Sequence, residues 1–211
     1  MTSSDGPDLD YFPGYLQRLV STWYRWQRVY LWAHHRRPGE NQRPPEKWES
    51  DEEVYWGALP PQMGAENVLR FANPSGEMLY ILERKADGFY ISTVERGSMQ
   101  TYWMFRAFAD AEKFLLYSIN EEARPGRYRD SPQCQWARQG LDPRVSLEKT
   151  DPERYPSRVS LTVGHELQDR GWMGESDAVG FSHAIVLTFE ELNEVLRQGI
   201  PGEAFSGAAP L

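Results

Sequence analysis

Four short runs that suit strands, set close together and separated by turn signals, constrain this chain more than any other feature. Asn67 to Ala72, Glu77 to Glu83, Phe89 to Glu95 and Met99 to Phe105 are rich in β-branched and aromatic residues. Between them lie Asn73-Pro-Ser-Gly76, Lys85-Ala-Asp-Gly88 and Arg96-Gly-Ser98. Gly, Pro, Asn and Asp at such points reverse the chain sharply, so strands this close in sequence pair antiparallel. The segment therefore predicts a four-stranded meander. A meander has a face to bury, and the next segment of the chain supplies a helix: Asp110 as a cap, then Phe114, Leu115 and Ile119 at helical spacing, stopped by Arg124-Pro-Gly126. A helix laid on a sheet gives an α+β fold.

The flanks are less regular. Residues 1–6 and their neighbours are polar, and Tyr11 to Arg37 reads as an Arg/aromatic helix with Leu16, Leu19, Val20, Trp23 and Tyr30 on one face. Arg18, Ser21, Arg25 and Arg28 lie on the other. Pro38 to Met63 is a Pro-rich arm, with Trp48, Tyr55 and Trp56 expected to anchor it. Residues 124–157 read as irregular because prolines recur, Arg158 to Val163 alternates like a strand, and Ala178 to Val186 reads as another. Thr188-Phe-Glu-Glu191 has the form of a capping box and opens a last helix closed by Gly199 and Pro201. The expected organisation is an N-terminal helix and arm docked on the core (1–63), an α+β core domain (64–201) and a loose tail (202–211).

Chemistry is sparse. The 211 residues carry one cysteine, Cys134, four histidines and a net charge of −8. One cysteine builds neither a disulfide framework nor a cysteine-rich zinc site. Adjacent His34 and His35 diverge around a helix, and His165-Glu166 lacks the second histidine of a zinc-protease helix. No phosphate-cradling glycine loop and no nucleophile elbow occur. The expectations are no metal, no cofactor and no enzymatic activity. An acidic balance opposes general nucleic-acid binding. No run of eighteen apolar residues occurs and the start has no signal-peptide pattern, so a cytoplasmic chain with no membrane contact is expected.

Three features invite a binding role. Arg18 to Lys47 interleaves basic and aromatic residues, and Arg124, Arg127, Arg129 and Arg138 cluster farther on. A solvated helix face and surface ion pairs account for these two more simply. The third is Glu166-Leu-Gln-Asp169-Arg-Gly-Trp172-Met-Gly-Glu175-Ser-Asp177, a glycine-punctuated connection that sets Trp172 among Glu166, Asp169, Glu175 and Asp177. An aromatic anchor ringed by acids suits contact with another protein. A hairpin whose Trp tucks back into the core is the competing reading.

The run Met78-Leu-Tyr-Ile-Leu-Glu-Arg-Lys-Ala-Asp-Gly-Phe-Tyr-Ile-Ser-Thr-Val-Glu-Arg-Gly97 continues through Tyr102-Trp-Met-Phe105 into Asp110-Ala-Glu-Lys-Phe-Leu-Leu116. This succession resembles small actinobacterial immunity proteins of polymorphic toxin systems, in the group related to the immunity factor of the tuberculosis necrotizing toxin. The resemblance spans residues 67–200, and its motifs are structural. It implies an antitoxin that blocks a cognate toxin enzyme by binding, with an NAD glycohydrolase as the kind of target. An adaptor module for some other protein, and an enzyme using Arg127, His165 and Glu166, are the alternatives. A pocket joining those three residues would support the enzyme.

Overall fold

The computed structural model of the chain describes residues 7–40, 43–95 and 97–206. Residues 1–6, Asn41 and Gln42 of the arm, Arg96 of the third turn and residues 207–211 lie outside the described residues. The meander is present as β1 (Gln62–Met63), β2 (Leu69–Ala72), β3 (Leu79–Lys85), β4 (Gly88–Glu95) and β5 (Ser98–Phe105). Helices α1 (Gly14–Ala33), α2 (Asp51–Trp56) and α3 (Phe108–Ala123) flank it. Then come α4 (Pro132–Gln139), β6 (Val145–Lys149), β7 (Arg158–Val163), β8 (Gly171–Gly174), α5 (Glu175–Ile185) and α6 (Phe189–Arg197). The fold is α+β.

The described strands form one antiparallel sheet in the order β1-β2-β3-β4-β5-β8-β7-β6. The chain leaves the meander at β5, crosses through α3 and α4, and re-enters at the far edge. It then works inward, so that β8 closes the sheet against β5. That seam is short: Met104 faces Trp172 and Phe105 faces Gly171. It also requires a glycine. Gly171 has φ 148°, and a Cβ there would sit 2.0 Å from the Met104 carbonyl oxygen.

Helices stack on one sheet face, α3 over β4 and β5 and α5 over β7 and β8. Ile91, Phe105, Leu161 and Met173 point into this layer and are fully buried. Helix α1 is part of the same core. Trp23 and Trp26 are buried, and the Trp23 indole Nε1 donates to the Ala72 carbonyl at 2.7 Å. Gln27 Nε2 donates to the carbonyls of Trp56 and Pro74, pinning the arm. Trp56 is the buried anchor and Tyr55 packs beside it, but Trp48 is 76% exposed and anchors nothing. The expectation fails there because an aromatic in a Pro-rich stretch binds the core only where the backbone reaches it.

Other expectations are corrected. Residues 124–157 hold a 3₁₀ turn (Tyr128–Asp130), α4 and β6. The α4 start was legible, since Ser131 caps the Cys134 amide and Pro132 stands at the first helical position. Glu175–Ile185 is helix, not strand, with Val186 at its C-cap: Ala178, Phe181, Ser182 and Ile185 are buried at helical spacing, with Glu175 and Asp177 in the first turn. Asp110 is not the α3 cap. The helix begins at Phe108, and Asp110 is a buried residue of its first turn. The Thr188–Glu191 capping box is formed in both directions. The tail is ordered where described: Gly202–Phe205 is a 3₁₀ turn, with Phe205 edge-on to Trp26 at 5.4 Å.

Candidate functional site

The stretch from Glu166 to Asp177 is not one exposed loop. Its middle is β8, a central strand, and its end is the first turn of α5. Trp172 is half-buried on the sheet face opposite the helices. It meets Tyr90 edge-on at 6.3 Å, and the Arg158 guanidinium lies 3.7 Å from its centroid and 3.6 Å from that of Tyr155.

The acids divide between the two ends of β8. Ahead of it, Glu166 accepts two bonds from Arg170 at 2.6 and 2.5 Å, and Asp169 accepts two from Arg106 at 3.1 and 2.8 Å. Beyond it, Glu175 is 2.5 Å from Lys149 Nζ. The Arg170 guanidinium holds the Glu166 carboxyl below the usual carboxylate range. Asp169 and Glu175 thus close the fold with cations distant in sequence, and Glu166 pairs with Arg170 four residues on. Asp177 is different. Its Oδ2 accepts a 2.9 Å bond from the Trp103 indole, and no cation among the described residues pairs with it.

Asp177 opens onto a corner that single-sequence reading missed. Residues 97–102, the tip of the β4–β5 hairpin, are exposed on both faces because the tip overhangs the helical layer. Met99 is 65% exposed and Tyr102 44%, with Tyr102 ringed against Trp103 at 5.3 Å. On the helical side stands Glu121 in the last turn of α3, with Tyr128 next to it, 56% exposed. Glu121 is exposed to solvent, yet crowding by its neighbours and then the charges of Asp177 and Glu122 push its carboxyl up, and the Tyr128 hydroxyl offsets this only in part. The same acids reach Tyr80 beneath Trp103, whose hydroxyl is pushed up to about 12, first by burial. No cation among the described residues pairs with Glu121. The signal that could have found it is an acid pair, Glu121-Glu122, at the negative end of a helix dipole.

The other candidate groups are not assembled into a centre. Glu166, with His165 its neighbour in sequence, bonds to Arg170, which also reaches Asp110 at the start of α3, whereas Arg127 follows the end of that helix, about 20 Å away at 1.5 Å per residue. Among the described residues no three His, Cys, Asp or Glu side chains are grouped to hold a metal. Cys134 is buried, and His183 Nε2 lies 2.8 Å from the Gly140 carbonyl. The two basic clusters are partly consumed by the fold. Arg18 pairs with Glu112 and Glu190, and Arg124 donates to the carbonyls of Leu196 and Gln198. No described helix is long and apolar enough to cross a membrane.

No protein-family model matches the chain, and no curated protein sequence does. Among solved structures it is similar to Rv3902c from M. tuberculosis. The TM-score is 0.50 at 16% identity, covering 65% of this chain and 80% of that one. At this identity the likeness shows the fold alone.

Proposed function

We propose that this chain is an immunity protein of the cytoplasm, which binds a cognate toxin enzyme and blocks its active site. One observation carries the reading: Tyr102 at the exposed β4–β5 hairpin tip, ringed against Trp103, and Tyr128 after α3 present aromatic surface to solvent, and the acids next to them, Asp177 on the Trp103 indole and Glu121 by Tyr128, are paired with no described cation. Exposed aromatics with uncompensated charge suit a surface finished by another protein. The meander, the aromatic fourth strand and the following helix also carry the sequence resemblance to actinobacterial immunity proteins, which favours a toxin as that partner. An acidic corner speeds encounter with a basic enzyme by electrostatic steering. On this reading the target belongs to the NAD glycohydrolase kind.

The test is capture from the native cell with the tagged full-length chain, followed by an assay of NAD consumption by whatever co-purifies. Recovery of one stoichiometric protein with a toxin-like domain, inactive in the complex and active once freed, is the expected result. A chain that comes down alone contradicts the reading.

A further inference from the structure

We infer that the cleft between α1 and α6 binds a small zwitterion of the α-amino acid class, its carboxylate on Arg25 and its ammonium on Asn193 and Glu194. The cleft shares no residue with the surface around β8 and the hairpin, and the inference does not rest on the immunity reading. The two helices are bridged at both ends. At one end the Arg18 guanidinium lies 4.2 Å from the centroid of the Phe189 ring and donates to Glu190 at 2.8 Å. At the other, Phe205 meets both the Trp26 ring of α1 and the Arg197 guanidinium of α6. The helices therefore run in the same direction, and Arg25 comes within a turn of Glu194. Between the bridges remains a cleft of about 390 Å³, lined by Ser21, Thr22 and Arg25 from α1 and by Asn193 and Glu194 from α6.

Its polar groups are left open. Asn193 Oδ1 is shut off from bulk solvent and accepts no hydrogen bond among the described residues. A buried acceptor left unmet costs the fold stability until a donor reaches it. Arg25 and Glu194 line the same cleft, yet neither forms an ion pair with the other or with any described residue. Thr22 is buried and donates to the Arg18 carbonyl at 2.7 Å, which leaves its Oγ1 able to accept. Arg18 is already committed, since Glu112 holds two of its nitrogens and Glu190 a third.

These charges decide the class of ligand. A phosphate wants more than one free cation, and Glu190 and Glu194 repel it. An amine without a carboxylate leaves Arg25 unanswered, and no three acidic, His or Cys side chains among the described residues are grouped for a metal. An α-amino acid carries both charges on one carbon. Its ammonium brings three donors, for Asn193 Oδ1, Glu194 and a hydroxyl of α1, while its carboxylate takes the guanidinium fork. The length of cleft toward Phe189 is left for the side chain.

The test follows the Arg25 Nε–H and Asn193 side-chain amide resonances of the isotope-labelled full-length chain. L-alanine, L-leucine, L-glutamine and L-glutamate are titrated in over the millimolar range. Each is compared with its N-acetyl derivative, which keeps the carboxylate alone, and with its amide, which keeps the ammonium alone. At least one free amino acid should give a saturable shift at both groups, with both of its derivatives at least about tenfold weaker. Binding should weaken at least about fivefold in Arg25→Gln and in Glu194→Gln, exposed positions whose replacement leaves the circular dichroism unchanged. The same amino acid should raise the melting temperature of the parent chain and not that of the variants. No saturable shift with any of the four, a derivative as good as its parent amino acid, or variants that bind like the parent chain overturns the inference.

Discussion

The two ends of helix α3 handle their acids in opposite ways. In its first turns Asp110 and Glu112 are almost fully buried, and every charge is answered. Lys113 lies 2.9 Å and Arg170 3.2 Å from Asp110, and Arg18 reaches across from α1 to Glu112 at 2.5 Å. Hydrogen bonding to Glu112 in turn raises the Arg18 guanidinium further above its usual value. In the last turn Glu121 sits near the unpaired Asp177, on the helix end where the backbone dipole disfavours negative charge. The first arrangement locks α1, α3 and the β7–β8 connection together. In the second, Asp177 holds the Trp103 indole and supports the first turn of α5, but no cation among the described residues offsets the charge of Glu121, an arrangement that suits a surface kept for binding.

The contrast can be broken at its strong end first. Arg18→Met leaves the buried Glu112 carboxylate without its partner and should cost about 3 kcal/mol in chemical denaturation. A loss under 1 kcal/mol would mean that water or Glu112 protonation replaces the arginine. Arg170→Met should cost less, about 2 kcal/mol, because Lys113 remains on Asp110. Adding Lys113→Met should then cost more than it does in the parent chain, a coupling that a double-mutant cycle measures.

Acid titration separates the two kinds of carboxylate. Glu166 and Asp142 are held below their usual values, chiefly by hydrogen bonds from Arg170 and Arg144. Their contribution is complete above the normal carboxylate range and is lost as pH falls through their folded values. Glu121 runs the other way. Its folded value is raised, so its ionisation opposes folding, and the cost appears as pH rises. Glu121→Gln should therefore stabilise the chain near pH 7 by about half a kcal/mol after solvent screening, with the gain vanishing in acid. Melting curves at pH 4 and pH 7 decide it, and a destabilised variant at pH 7 would remove the distinction between the two ends.

What could be read from the sequence was local. The meander, the following helix and the Thr188–Glu191 cap all announce themselves within a few residues, because turn pairs, periodicity and capping act over that range. Strand β8 did not, since four residues with glycines at both ends are too short to show alternation, and its partners lie far away in sequence. Helix α5 was misread as strand because its short, largely apolar stretch suits either period until its burial is known. The candidate site divides similarly. Acids and an aromatic around β8 were legible, but Arg106 lies 63 positions from Asp169 and Lys149 lies 26 from Glu175, so pairing could not be seen. Asp177 was reached by sequence. Tyr102, Glu121 and Tyr128 were absorbed into a strand, a helix and an apparent loop, and only the fold brings them beside it.

The most direct measurement tracks stability and partner affinity together in the Glu121→Gln/Asp177→Asn variant. The account predicts that the melting temperature at pH 7 stays level or rises while affinity for the captured partner falls at least tenfold. A variant that loses stability and keeps its affinity would show that these acids serve the fold, and would contradict the account.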